Sequence, residues 1–209
     1  ERLFLVDLEK DPEFKGIELQ VFDDPINGRG LRVLRYLKDG RLDVYWQPGA
    51  PLDRRTFSVG RGVRDFTAAV MDPARFTITP RGVDVDVAFT DLEHRRCELH
   101  VHQDDPGRRG FPLLAPVGRD VAHPIELFLV WMPDIVVTRC ATTRVSGRIG
   151  DRPLCSASFP IPMGWQRHWF IRYAGGLTIG ALNPPADRPV LVDLPASGRA
   201  RVEGMELAA

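Results

Sequence analysis

The run Val83-Asp84-Val85-Asp86-Val87-Ala88-Phe89 alternates apolar and polar positions with a period of two. Successive side chains of a strand point to opposite faces, so Val83, Val85, Val87 and Phe89 share one face. The same period recurs in Arg41–Trp46, with Leu42, Val44 and Trp46 in register, and again in Cys97–His102 and His168–Tyr173. No twelve-residue window carries a helical stripe; the one short helical candidate is Val63–Met71, one or two turns long. A dozen or more short strand-like runs follow one another at roughly the 8–12-residue spacing of antiparallel barrels and sandwiches. Strands do not alternate with helices, which disfavours a nucleotide-binding parallel sheet. Composition agrees: of the 28 acids 19 are Asp, of the 28 bases only 3 are Lys, and 19 Gly and 18 Pro interrupt helices. The 209 residues are therefore expected to form one all-β domain spanning 1–209, a mainly antiparallel barrel or strongly curved sandwich with little helix.

Turn chemistry predicts three hairpins. Lys38-Asp39-Gly40-Arg41 reads as a two-residue type I′ turn, which pairs Leu37 with Leu42 and Val33 with Trp46. Thr79-Pro80-Arg81-Gly82 reads as a second turn. Ile149-Gly150-Asp151-Arg152 reads as a third, and its register sets Cys155 opposite Ser146 and Cys140 opposite Ile161. Cys140 and Cys155 then do not bond within that hairpin and read as small buried hydrophobes. With Cys97 the thiols number three and lack CxxC spacing, so neither a disulfide framework nor a zinc knuckle is expected. A reducing, cytoplasmic setting is the default expectation.

Basic and acidic residues balance to zero. That argues against a nucleic-acid partner or an anionic membrane surface, both of which need a basic excess. No apolar run reaches the ~18 residues of a membrane span. Phosphate-loop, Gly-x-Ser-x-Gly and His-Glu-x-x-His patterns are absent. Gly28-Arg29-Gly30 and Gly60-Arg61-Gly62 read as turn glycines with a solvated Arg. The irregular stretch Asp104–Pro124 reads equally as a mouth loop or a crossover between sheets.

Phe89-Thr90-Asp91 leading into Arg95-Arg96 and a strand, with the later Val145–Leu154 hairpin, resembles the lipocalin-like domains of bacterial carotenoid-hydratase and hydroxyneurosporene-synthase-type proteins. The resemblance spans Gly60–Gly150, less than half the chain, and the Gly-x-Trp signature of lipocalins is absent. It implies a lipocalin-like barrel that binds a small, largely apolar ligand, with hydration, isomerisation or cyclisation as the accompanying chemistry. No catalytic residue is carried over from that family.

Two constellations are candidates for the site. Glu98, His100 and His102 share one strand face, and with His168 they are the candidate proton-moving groups. Trp131, Trp165, Trp169 and Tyr173, with Arg172, are the candidate walls and polar edge of an apolar pocket. The bland alternatives are a solvated strand face for the first and core packing for the second. Gly110–Gly118 followed by His123 resembles the second cupin motif, with one residue too many before His123 and no downstream Glu in the first motif. It implies an alternative, a cupin-like metal-dependent enzyme using Glu98, His100, His102 and His123. A third alternative is a non-catalytic interaction module with a packed core. No cofactor is assigned and no metal is assigned in the leading reading; ligand identity and oligomeric state stay open.

Overall fold

A computed structural model describes residues 2–8, 10–24, 28–49, 52, 54, 61–79, 81–104 and 143–157, and beyond these only strands at 108–109, 113–118, 127–132, 135–138, 171–174, 178–181, 192–193, 200–202 and 205–207. The described residues are all-β and include no helix. Among the described residues no helix is therefore long and apolar enough to cross a membrane.

The first eight strands are β1 (Arg2–Asp7), β2 (Phe14–Asp24), β3 (Gly28–Leu37), β4 (Leu42–Trp46), β5 (Val63–Ala68), β6 (Ala74–Thr79), β7 (Gly82–Thr90) and β8 (Arg96–Gln103). There follow β9 (Arg108–Arg109), β10 (Leu113–Gly118), β11 (Leu127–Met132), β12 (Ile135–Thr138), β13 (Arg144–Ile149) and β14 (Arg152–Pro153). The last are β15 (Ile171–Ala174), β16 (Thr178–Ala181), β17 (Val192–Asp193), β18 (Ala200–Val202) and β19 (Met205–Leu207). An eight-stranded sheet has the order β5-β4-β3-β2-β1-β15-β12-β9, and a five-stranded sheet the order β14-β13-β8-β7-β6. Two three-stranded sheets, β10-β11-β16 and β17-β18-β19, complete the description. Pairing is antiparallel except between β4 and β5. Among the described residues no sheet closes on itself, so the all-β expectation holds at the level of packed sheets rather than of a barrel.

The main core lies between the eight- and five-stranded sheets. Phe4, Val6, Leu19 and Val33 from one sheet meet Val83, Val85, Val87, Phe89, Leu99 and Val101 from the other, all buried. Phe4 and Phe76 touch edge to face with ring centroids 6.1 Å apart. The far side of the first sheet carries a smaller cluster, in which Leu34, Leu42 and Val44 are buried with Trp46, Val63 and Phe66 packed on them.

Two predicted hairpins keep their register. Thr79 pairs with Gly82, and Ile149 pairs with Arg152 and Arg148 with Pro153. At Gly82 the partner backbone comes so close that a Cβ would sit 1.8 Å from the carbonyl oxygen of Gln103. The first hairpin is one residue off. Leu37 N–H donates to the Arg41 carbonyl, which closes a three-residue loop Lys38-Asp39-Gly40 with Gly40 at φ 90°. That is a turn with a glycine bulge rather than a two-residue type I′ loop. Tyr36 therefore pairs with Leu42 and Val33 with Tyr45, and Arg35 comes to stand opposite Asp43.

Val63–Met71 is not helical; Val63–Ala68 is strand β5, parallel to β4. The pairing shifts between Leu42 and Val44, so Val63 and Phe66 both face the smaller cluster although three residues apart. This irregularity produces the three-residue apolar spacing that reads as helical. Cys155 is exposed, not buried. It lies two residues beyond the end of the short strand β14, past the paired ladder. Cys140 and Ile161 lie outside the described residues, as do Pro80 and Gly60.

Candidate functional site

The alternation of β8 settles the orientation of its polar triplet. Cys97, Leu99 and Val101 are buried in the core, which turns Glu98, His100 and His102 outward. The three do not gather around one point. Glu98 accepts from Arg148 Nε at 2.8 Å and Arg148 Nη2 at 3.2 Å, with Arg96 Nε at 3.5 Å. Those guanidiniums, Arg148 first, hold its carboxyl below the usual range. His100 Nδ1 lies 2.8 Å from Asp86 Oδ1, and His102 Nε2 lies 2.9 Å from Asp104 Oδ1. Among the described residues no three His, Cys, Asp or Glu side chains are placed to hold a metal ion.

His123, Trp165, His168 and Trp169 lie outside the described residues. Trp131, Arg172 and Tyr173 are placed in strands by their backbone alone: Trp131 pairs with Leu114 and Thr178, Tyr173 with Phe4 and Val136, and Arg172 with Leu5 and Val137. Trp131 thus sits in a different sheet from Arg172 and Tyr173.

The densest polar chemistry is elsewhere, buried at one end of the two main sheets. Arg35 is 0% exposed and donates to four groups at once, one of them the Tyr45 hydroxyl at 3.3 Å. Its Nη2 and Nε reach Asp43 Oδ2 at 2.8 and 3.1 Å, and its Nη1 reaches Asp91 Oδ2 at 2.9 Å and Cys97 Sγ at 3.2 Å. Asp43 also accepts from Arg64 at 2.8 and 2.6 Å. Asp91 also accepts from Arg95 Nε at 2.8 Å. The Tyr45 hydroxyl donates to Asp65 and accepts from Leu92 N–H at 3.2 Å. Glu13 gathers Arg64, Arg95 and Arg152 at 2.7, 2.8 and 3.1 Å.

Strand ends and turns deliver these groups. Arg35 and Asp43 face each other across the first hairpin. Asp91 opens the turn between β7 and β8, where its Oδ1 accepts from Glu93 and Arg95 N–H at 3.0 and 2.8 Å and His94 adopts φ 60°. Arg152 comes from the β13–β14 hairpin. The network therefore ties three strands of the first sheet, with Glu13 just before β2, to two turns of the second. Its electrostatics are self-consistent: burial alone would lower the Arg35 pKa, but Asp43 and its other neighbours raise it, while burial opposes and Arg35 and Arg95 enforce a lowered pKa at Asp91.

The sequence reading missed this cluster, because Arg–Asp pairs in an Arg- and Asp-rich chain read as exposed and weak. A signal was present. Arg35 and Asp43 hold the same strand parity as Val33 and Tyr45, and Asp91 continues the inward series that ends at Phe89.

Two expected results arise from the cluster. Burial raises the Glu13 carboxyl, but the bonds from Arg95, Arg64 and Arg152 override it and bring it from 4.5 to about 2. A carboxyl depressed in the folded state stabilises above its unfolded pKa and loses that contribution as pH falls through the folded one. Wild-type stability, read from urea midpoints, should therefore fall between about pH 4.5 and 2, and Glu13→Gln should be less stable at neutral pH with a shallower decline. An unchanged acid profile would remove Glu13 from the account. Cys97 is buried, and desolvation pushes its thiol up to about 11, against the opposing pull of Arg35. Native alkylation followed by peptide mass mapping should modify Cys155 and spare Cys97 until denaturant is added.

Among the described residues, the space between β2, β3, β7, β8 and β13 is nearly filled. A cavity bounded by Ile17, Leu19, Val33, Phe89, Cys97 and Leu99 has a volume of about 10 Å³, room for about one water molecule. Compared with known proteins, the chain matches no family model, no curated protein and no solved structure.

Proposed function

We propose that the protein is a non-catalytic interaction module: a packed β-sandwich that binds through its outer surfaces. The observation that carries this reading is the filled interior between the described strands β2, β3, β7, β8 and β13. The inward side chains of β2, β3, β7 and β8 leave about 10 Å³ between them, far below the roughly 300 Å³ or more of a small-molecule pocket. The outward orientation of His100 and His102 supports it as well, since neither lines that interior.

A second reading, binding of a small and largely apolar molecule, has one specific observation in its favour. Strand β11 reads Leu-Phe-Leu-Val-Trp-Met, apolar at every position, and lies between β10 and β16. A strand apolar on both faces needs cover on both. In this reading a ligand supplies part of the cover beside Trp131, and Trp165, Trp169, Tyr173 and Arg172 complete the pocket. A proton-moving role for His168 and a hydratase, isomerase or cyclase activity belong to this reading alone.

Native mass spectrometry of the purified chain against its denatured mass separates the two. The module reading expects no organic adduct. An adduct of a few hundred daltons that denaturation removes would overturn it in favour of the apolar ligand.

A further inference from the structure

Among the described residues, β6 is the one edge of the two main sheets that is both long and open. The eight-stranded sheet ends at β9, two residues long, and at β5, where Arg54 Nη2 donates to the Val63 carbonyl at 2.7 Å. The five-stranded sheet ends at β14, also two residues long, and at β6. Strand β6 carries six residues, Ala74-Arg75-Phe76-Thr77-Ile78-Thr79, with no proline and no register shift against β7. Ala74, Arg75 and Thr79 are exposed, and Phe76, Thr77 and Ile78 are half-buried. An edge of this kind offers its unpaired N–H and C=O groups to a second strand.

The ladder fixes which groups those are. Ala88 N–H donates to the Pro73 carbonyl and Asp72 N–H to the Ala88 carbonyl, both at 2.9 Å, so Ala88 of β7 turns its backbone groups towards β6. Bonded positions alternate along an antiparallel pair. Arg75, Thr77 and Thr79 therefore bond to β7, opposite Asp86, Asp84 and Gly82, while Ala74, Phe76 and Ile78 turn their N–H and C=O groups outward. The three outward positions are symmetric about Phe76. A second β6 laid antiparallel sets Phe76 against Phe76 and Ala74 against Ile78, and each outward group finds a partner. The side chains agree. On the core side, Phe76, which already touches Phe4, and Ile78 gain apolar neighbours. On the outer side, Arg75 faces Thr77 of the other copy and not Arg75. Each Arg75 is also compensated within its own chain, with Nε 3.2 Å from Asp84 Oδ2 and Nη2 3.8 Å from Asp86 Oδ2. No like charges stand directly opposite.

We propose that β6 is a self-association edge: two copies of the chain pair antiparallel through it, about a twofold axis at Phe76, and join their five-stranded sheets into one continuous sheet. The proposal rests on the module reading and names the partner as a second copy of this chain. One strand pair is smaller than the roughly 1,200 Å² of a standard interface, so the dimer is weak and reversible.

Sedimentation equilibrium of the untagged full chain, from about 10 μM to about 1 mM, is the test. The mass should rise with concentration from one chain towards two and stop there, because a twofold contact closes. Ala74→Pro removes an outward N–H and leaves the bonds to β7 in place, so the dissociation constant should rise at least about tenfold. Thr77→Lys sets like charge against Arg75 of the other copy and should weaken the dimer about three- to tenfold, whereas Thr77→Glu should tighten it by a similar factor. Circular dichroism checks that each variant is folded, and the opposite shifts of the two Thr77 variants carry the test if Ala74→Pro is not. The proposal is overturned by a single-chain mass at every concentration, by growth past two chains, or by a dimer that the variants leave unchanged. None of these results touches the module reading, which falls to the removable organic adduct instead.

Discussion

Arg35→Met should destabilise the protein by about 3–5 kcal/mol, measured by chemical denaturation at neutral pH, while barely changing the apolar volume of the site. The side chain is fully buried, and its loss leaves the carboxylates of Asp43 and Asp91 with 0% side-chain exposure and one guanidinium fewer each. Neither is stripped entirely: Arg64 stays at 2.6 Å from Asp43, and Arg95 at 2.8 Å from Asp91. Their remaining partners are themselves partly exposed and cannot follow Arg35 into the space between the sheets. The penalty is mostly that of charge left dehydrated, so neutralising an orphan should return part of it. Arg35→Met/Asp43→Asn is expected to be less destabilised than the two single variants added together, a coupling that a double-mutant cycle measures directly. A loss below about 1 kcal/mol in Arg35→Met would mean that water or side-chain rearrangement solvates the acids, and that the network is not a lock between sheets.

The same residues show what the sequence could reveal. The period-two pattern of Val83–Phe89 and Cys97–His102 reports burial faithfully, because each strand has one wet face. The Ile149–Arg152 register was legible, since a Gly-Asp loop of two residues fixes the pairing. The Lys38–Gly40 loop was not, because the same Asp-Gly pair serves both a two-residue turn and a three-residue turn with a bulge. That slip of one residue carries the largest consequence. The predicted register sets Arg35 opposite Val44, and only the observed one sets it against Asp43. Long-range partners such as Asp91, 56 positions away from Arg35, leave no local trace at all. On the outer face, the sequence pattern finds the histidines but not the carboxylates that stand beside them across the ladder. Glu98 is adjacent in the chain, whereas Asp84 and Asp86 are adjacent across the ladder.

Phe14→Ala should cost about as much as Arg35→Met, roughly 3–5 kcal/mol for truncating a fully buried phenylalanine. The ring is 0% exposed, and its place is set by Asp11, whose Oδ1 accepts from Glu13 and Phe14 N–H at 2.9 and 2.8 Å. A register shift between Phe14 and Gly16 then lets Phe14 and Ile17 both face inward. What makes the position unusual is the cover above the ring. The guanidinium carbons of Arg35, Arg64 and Arg95 lie 4.6, 5.8 and 6.0 Å from its centroid. A ring face is the negative side of its quadrupole, so three crowded cations gain from it an attraction that an aliphatic side chain cannot give. Phe14→Leu isolates that contribution, because it keeps an apolar group of nearly the same reach. It should cost about 1–2 kcal/mol in the wild-type background. The cost should shrink in Arg35→Met, which removes the closest of the three cations. If Phe14→Leu costs the same in both backgrounds, the ring acts as filler alone and the arginines are held only by their carboxylates. If the cost shrinks, the aromatic ring and the carboxylates share the work of keeping four arginines at one end of the sandwich, and the charged cluster and the apolar core are one cooperative unit.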